Sequence, residues 1–258
     1  MDITAKIVGH YDIATLTLYL FWAFFIALVI WLQRENMREG FPLISERTGE
    51  PMPGVALPLP EPKIFKLPHG GGDKAVPGPG QDDTRPVAAD LSGPDLGFPL
   101  IPTGDPMADG VGPAAWAERA DVPDLTWHGD AKIVPLRVAP DFSVHEGSRE
   151  IRGRQVMSGD DQIVGIVHDL WVDRSEQLIR YIEIELQDGT TRLAPFTMCF
   201  VNWLKPTVTI RSLYAHNFPG VPTTKNPEQV TLLEEDKISA YYCGGLLYAT
   251  KSREEPLV

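Results

Sequence analysis

From Ile13 to Leu32 the chain reads IATLTLYLFWAFFIALVIWL, twenty residues without a charge, with Thr15 and Thr17 as the only polar ones. Wound into an α-helix, this stretch is about 30 Å long, the thickness of a bilayer's hydrocarbon core. Trp31 sits where an interfacial aromatic belt is expected. A cleavable signal peptide fits badly, because the run is long and RENMREG follows it instead of a small-residue cleavage site. A soluble core helix fits worse, since such a helix keeps a polar stripe and this one has none. The sequence therefore predicts a single membrane-spanning helix over residues 13–32.

Flanking cations set its expected direction. Lys6 precedes the run, opposed by Asp2 and Asp12, whereas Arg34, Arg38 and Arg47 follow it. That bias puts residues 1–12 in the periplasm or exterior and everything after the span in the cytoplasm.

The next stretch is built differently. Between Phe41 and Pro113 lie 15 of the 24 prolines and 12 of the 23 glycines. Proline removes backbone donors and glycine raises the entropy of ordering, so long regular elements are not expected there. Apolar punctuation (FPLI, IFKLPHG, FPLIPTG) instead suggests an extended strap over residues 33–129, in polyproline or short-strand form, laid along another surface. From Phe41 to Gly129 there are 6 basic and 13 acidic residues, more than half of the chain's net −12. An anionic bilayer does not attract such a segment, which makes a protein surface its expected partner. The acidic balance also argues against nucleic acid as a partner. Cys199 and Cys243 are too few and too far apart for a disulfide framework or a CxxC metal site.

From Asp130 onward short β-type runs take over: KIVPLRV, QIVGIVHDLWVD, LIRYIEIEL, TRLAPFTMCFV and TVTIRSL. Asp188-Gly189 between two of them marks a hairpin. Tyr181, Glu183 and Glu185 alternate with Ile182, Ile184 and Leu186, the pattern of a strand with one buried face. Strands at this spacing predict a small antiparallel barrel over residues 130–258. A helix is expected to start near Leu233, with acids in its first turn and Gly244-Gly245 near its end. The fold class is thus one N-terminal transmembrane helix plus a mainly β cytoplasmic domain with a C-terminal helix.

The wording within this order is as distinctive as the order itself. RENMREGFPL, KIFKLPHG, PTGDPMADGVGPAAWAERAD, KIVPLRVAPDFSV, DLWVDRSEQLIRYIEIEL and VTLLEEDKISAYYCGGLLYAT resemble the H subunit of purple-bacterial photosynthetic reaction centres, along almost the whole chain. The resemblance implies a PRC-type barrel and a single-pass protein of the bacterial inner (intracytoplasmic) membrane. It implies a non-catalytic subunit that caps the L and M subunits, stabilises the complex, shields the quinone sites and helps carry protons to the secondary quinone. The bacteriochlorophylls, bacteriopheophytins, quinones and non-haem iron belong to the complex, and none is expected on this chain alone. Membrane lipids are expected neighbours, and a light-harvesting core antenna and a cytochrome subunit are further candidate partners.

A proton relay needs titratable groups coupled to one another. WVDRSEQLIR (Trp171 to Arg180) links two apolar runs, which sets Asp173 and Glu176 in or beside a turn with Arg174 and Arg180 near. An ordinary solvated turn reads the same way from composition. The resemblance assigns Asp173, Glu176 and Arg180 to the proton path and the interface near the secondary quinone. The second candidate is TWHGDAK (Thr126 to Lys132). In relatives this stretch carries an acid and two histidines as a proton entrance that divalent metals block. Here only His128 matches, with Thr126 in place of the acid and Asp130 in place of the second histidine. His128 and Asp130 are thus proton-entrance candidates and weak surface metal candidates, with no metal site expected; Lys132 and Arg174 join Arg180 as tuning charges. His69 is expected to make a structural hydrogen bond, and His10, His145, His168 and His216 show no ligand spacing. Two other readings stand beside this one: a membrane-tethered barrel adaptor for soluble partners, and an anchored hydrolase using Asp173 and Glu176, for which no nucleophile or metal motif is present.

Overall fold

Asp12 starts the first helix by accepting a hydrogen bond from the Thr15 amide at 2.7 Å, and α1 runs from Ile13 to Asn36. Its described side chains are all exposed or half-exposed, as a helix solvated by lipid requires. Phe21, Trp22 and Phe25 form an aromatic cluster on its surface, with ring centroids 5.6–6.0 Å apart. The computed structural model describes residues 6–8, 11–41, 43, 45, 50, 58–78, 83–94, 97–202 and 205–254. Asp2, His10, Arg47 and half of FPLI at 41–44 (Pro42 and Ile44) lie outside the described residues. The chain forms two compact units, residues 1–82 and 83–258.

In the first unit two short strands, β1 (Lys6–Val8) and β2 (Tyr11–Asp12), pair just ahead of α1. Beyond α1 the strap region forms a hairpin of β3 (Lys63–Lys66) and β4 (Asp73–Val76). His69 lies at its exposed turn with φ +54. Among the described residues its side chain makes no hydrogen bond, so the structural role expected for it is replaced by a place in a tight turn.

The second unit opens with another short hairpin, β5 (Ala89–Leu91) with β6 (Leu100–Pro102). A one-turn helix, α2 (Pro106–Asp109), follows, capped by Asp105 at its start and by Gly110 with φ +70 at its end. The strands of the main sheet are β7 (Ile133–Pro135), β8 (Gln155–Met157), β9 (Ile163–Asp173), β10 (Leu178–Leu186), β11 (Thr191–Pro195), β12 (Cys199–Val201) and β13 (Thr207–Ile210). Their order is β11-β10-β9-β8-β13-β12, with β7 also on β9. All pairings are antiparallel except β8 with β13. Pro135 and Pro195 end β7 and β11, and 3-10 turns follow both, so two runs that read as continuous strands are broken where proline removes a ladder donor. Gly189, with φ +81, turns β10 into β11 as the Asp-Gly signal indicates.

The C-terminal helix α3 (Leu232–Tyr248) has a capping box between Thr231 and Glu234. Val156, Val167, Leu170, Trp171, Ile182, Ile184, Ile210, Leu213, Ile238 and Tyr242 form the core between sheet and helix. Each large side chain so buried contributes about 1.5–3 kcal/mol. Gly244 and Gly245 lie near the end of α3, in its last turns before Tyr248, as expected. A Cβ on Gly244 would sit 2.5 Å from that of Ala114, so the absence of one lets the 112–114 segment lie against the helix. Trp116 is held there by Arg85, 3.7 Å from its ring centre, by Lys237 at 4.3 Å, and by Asp236 accepting from the next amide, Ala117, at 2.6 Å. For this part of the Pro/Gly-rich stretch, the surface it lies on is the chain's own C-terminal helix.

Candidate functional site

β9 ends at Asp173 and β10 starts at Leu178, so residues 174–177 must reverse the chain. Asp173 organises that reversal. Its Oδ1 accepts from the Ser175 and Glu176 amides, each at 2.9 Å, and its carbonyl accepts from the Gln177 amide at 2.8 Å. Gln177 closes the turn with φ +58.

The other carboxylate oxygen faces charge. Arg180 Nε and Nη2 both lie 3.2 Å from Oδ2, and Lys132 Nζ lies at 3.6 Å. Lys132 arrives because β7, which follows it directly, pairs with the end of β9 and sets Ile133 opposite Asp173. The Asp173 side chain is 0% exposed. Burial raises its pKa, but the two amides, Arg180 and Lys132 outweigh burial and hold it below the usual value. Glu176, whose side chain is 50% exposed, reaches Arg180 at 3.0 Å and Lys132 at 3.7 Å.

A fifth group joins that the sequence reading missed. Asp124 lies 3.3 Å from Lys132 Nζ. Residues 124–132 form a small ladder in which the Lys132 amide donates to the Asp124 carbonyl and the Thr126 amide to that of Asp130. The clue was the eight-residue spacing around Gly129, whose φ of +89 closes the loop. Against desolvation, Asp124, Asp173 and Glu176 together raise the Lys132 pKa.

Not every candidate enters this cluster. Arg174 turns away and donates to the Ala131 carbonyl from Nε at 2.9 Å and from Nη2, clamping the neighbouring loop instead of a carboxylate. His128 and Asp130 lie exposed on the 126–130 turn beside Trp127, which is 88% exposed. Among the described residues neither side chain makes a hydrogen bond or ion pair. Nor does any group of three or more His, Cys, Asp or Glu side chains among them stand ready to hold a metal ion.

Two further networks touch the same strands. On the far side of Arg180, a cavity of about 230 Å³ is lined by Arg119, Tyr181, Thr197, Glu235 and Ser239. The Tyr181 hydroxyl donates to Glu235 at 2.9 Å, and burial pushes the Glu235 carboxyl upward against the pull of Tyr181, Arg119 and Arg180. Further along, Glu183 is buried, although alternation had it facing outward with Tyr181 and Glu185. Arg137 covers that face: its Nη1 reaches Glu183 at 2.7 Å and Asp169 at 3.2 Å, and Trp171 Nε1 donates to Glu183 at 2.8 Å. Tyr181 is buried at Glu235, and only Glu185 stays half-exposed, 3.5 Å from His168.

Residues 5–138, just over half of the chain, match the family described as photosynthetic reaction centre, H-chain N-terminal region. Residues 144–213 match the PRC-barrel domain, and they cover strands β8 to β13. The chain therefore belongs to the reaction-centre H-chain family, a membrane-anchored subunit with a PRC barrel that associates with the L and M subunits of a pigment- and quinone-bearing complex.

Proposed function

We propose that this subunit caps L and M on the cytoplasmic side, stabilises the complex, shields the quinone sites and conducts protons to the secondary quinone. In this reading residues 1–12 are a periplasmic tail, 13–32 the membrane anchor, 33–129 the strap, and 130–258 the cytoplasmic barrel with its terminal helix. The chain acts as a conductor and scaffold and not as a catalyst. The observation that supports the reading best is the five-charge cluster of Asp124, Lys132, Asp173, Glu176 and Arg180 at one barrel turn.

Reduction of the secondary quinone to quinol consumes protons. Within the cluster, Glu176 is half in solvent and bound only by side chains, so it can exchange a proton without breaking the turn. Asp173 is held as a carboxylate by two amides and two cations, so it supplies a fixed negative charge beside Glu176. Arg180 bridges the two carboxylates and keeps them in reach of each other when Glu176 takes a proton. His128 and Asp130, on the exposed turn that leads into Lys132, serve as the collecting end. Glu235, beyond Arg180, extends the set of exchangeable groups toward α3.

The test is the Glu176→Gln variant in the intact complex. The proton-coupled second electron transfer should slow by on the order of 10²-fold, the lower part of the range for a positioned acid–base group, with primary charge separation unchanged. Flash-induced quinol formation at the normal rate would remove Glu176 from the path.

A further inference from the structure

The hairpin of β3 and β4 leaves both of its faces open. All four residues of β3 are exposed, with Ile64 at 68% and Phe65 at 49%, and Leu67 follows at 45%. A two-stranded hairpin by itself is marginal in water, so something must cover it. We propose that this hairpin meets the bilayer surface with its exposed β3 edge and inserts Ile64, Phe65 and Leu67, from both of its faces, among anionic lipid headgroups, a second membrane contact beside the span.

Three observations on the same unit support lipid as the occupant. The hairpin is clamped to the end of α1: Arg38 Nη1 donates to the Glu61 carbonyl at 2.5 Å and to that of Val76 at 3.3 Å, so one guanidinium holds both ends. The same arginine reaches Glu35 at 2.9 Å, and Lys63 pairs with Glu35 as well. Arg38 lies six residues beyond Leu32, about 9 Å further along the axis. The headgroup layer is roughly 5–8 Å deep on each side, so the base of the hairpin sits at its outer edge. The lipid-facing surface of α1 thus continues into the hairpin.

Charge completes the argument. Residues 58–78 carry Lys63, Lys66 and Lys74 against Glu61 and Asp73, a net +1 inside an otherwise strongly acidic stretch. The strand register sets Phe65 opposite Lys74 on one face, and Ile64 shares the other with Lys66. Large apolar groups flanked by lysines are what an anionic interface selects. The inference rests on the span and not on proton delivery, so either can fail without the other.

The experiment uses the full chain with Ile64→Cys or, separately, Leu67→Cys, each with Cys199→Ala and Cys243→Ala, carrying a fluorophore in lipid nanodiscs. Brominated acyl chains should quench both labels in anionic bilayers, and Lys66→Glu with Lys74→Glu should lower the inserted population about fivefold for each lysine reversed. Labels that stay open to aqueous iodide and are untouched by bromine overturn the proposal. So does shielding that arises only when L and M are present and without bromine quenching, which would assign the hairpin to a protein partner. Equal quenching in purely zwitterionic bilayers would overturn the role given to the lysines.

Discussion

Two charge networks share strands β9 and β10, four residues apart, and they are built to opposite ends. Around Asp169 and Glu183, directly opposed across the ladder, Arg137 bridges two buried carboxylates, Arg152 lies 4.0 Å from Asp169, and the strands close over them. Like charges facing each other across a sheet repel, so Arg137 is a condition for that pairing. Around Asp173, at the strand end, one carboxylate is equally buried but its partner Glu176 stands half in water. The closed network has its ions fixed by the fold. The open one keeps a group that can change protonation while the backbone stays still. Position along one pair of strands separates a structural ion cluster from one suited to proton exchange.

Substitutions can break this contrast, beginning with the largest expected effect. Arg137→Ala leaves Glu183 with Trp171 alone and Asp169 with Arg152 at 4.0 Å, and should cost about 3 kcal/mol, the low end for a broken buried pair because Arg137 is a third exposed. Thermal or urea unfolding of the detergent-solubilised chain measures it. Asp173→Asn should cost about 1–3 kcal/mol, since the turn amides keep an acceptor while Arg180 and Lys132 lose their buried carboxylate and keep only Glu176 and Asp124. Its pH signature has a definite sign. The native carboxyl lies below its ordinary value of 3.8, so its stabilisation is complete above that pH and is lost as pH falls through the native value. The variant should therefore lose part of the steep acid limb below about pH 4, and an unchanged acid limb would show that Asp173 is not held as a carboxylate. Glu176→Gln should change stability least, by less than about 1 kcal/mol, as for other exposed ion pairs. A large loss there would make Glu176 a structural residue like Glu183 and erase the contrast.

The same contrast explains what could be read from residue order. The span was legible because an all-apolar twenty-residue run has one physical solution. Asp188-Gly189 and the Thr231 to Glu234 box were legible because their chemistry is local. Asp173 and Glu176 were legible as a pair because the turn that joins them is four residues long. Glu183 was misread because alternation reports that one face is buried and is silent about the other, which Arg137 covers from 46 positions away. Asp124 was missed because its link to Lys132 exists only once the 126–130 loop has closed. Gly244 and Gly245 were legible as lying near a helix end, but the reason for them was not, because the groups that approach them, Ala114 at Gly244 and Ser212 and Leu213 at Gly245, lie far earlier in the chain.

The long-range closure of the second unit also has a consequence for how the subunit is made. Its parallel pairing joins Gln155 to Thr207, Asp121 finds its partners at Lys225 and Thr231, and Pro123 pairs with Thr231. Translation at roughly 5–20 residues per second delivers the anchor on the order of ten seconds or more before those partners leave the ribosome. The barrel is therefore born already moored. It completes its fold within reach of one membrane face, where the search for neighbouring subunits is confined to a surface and not a volume.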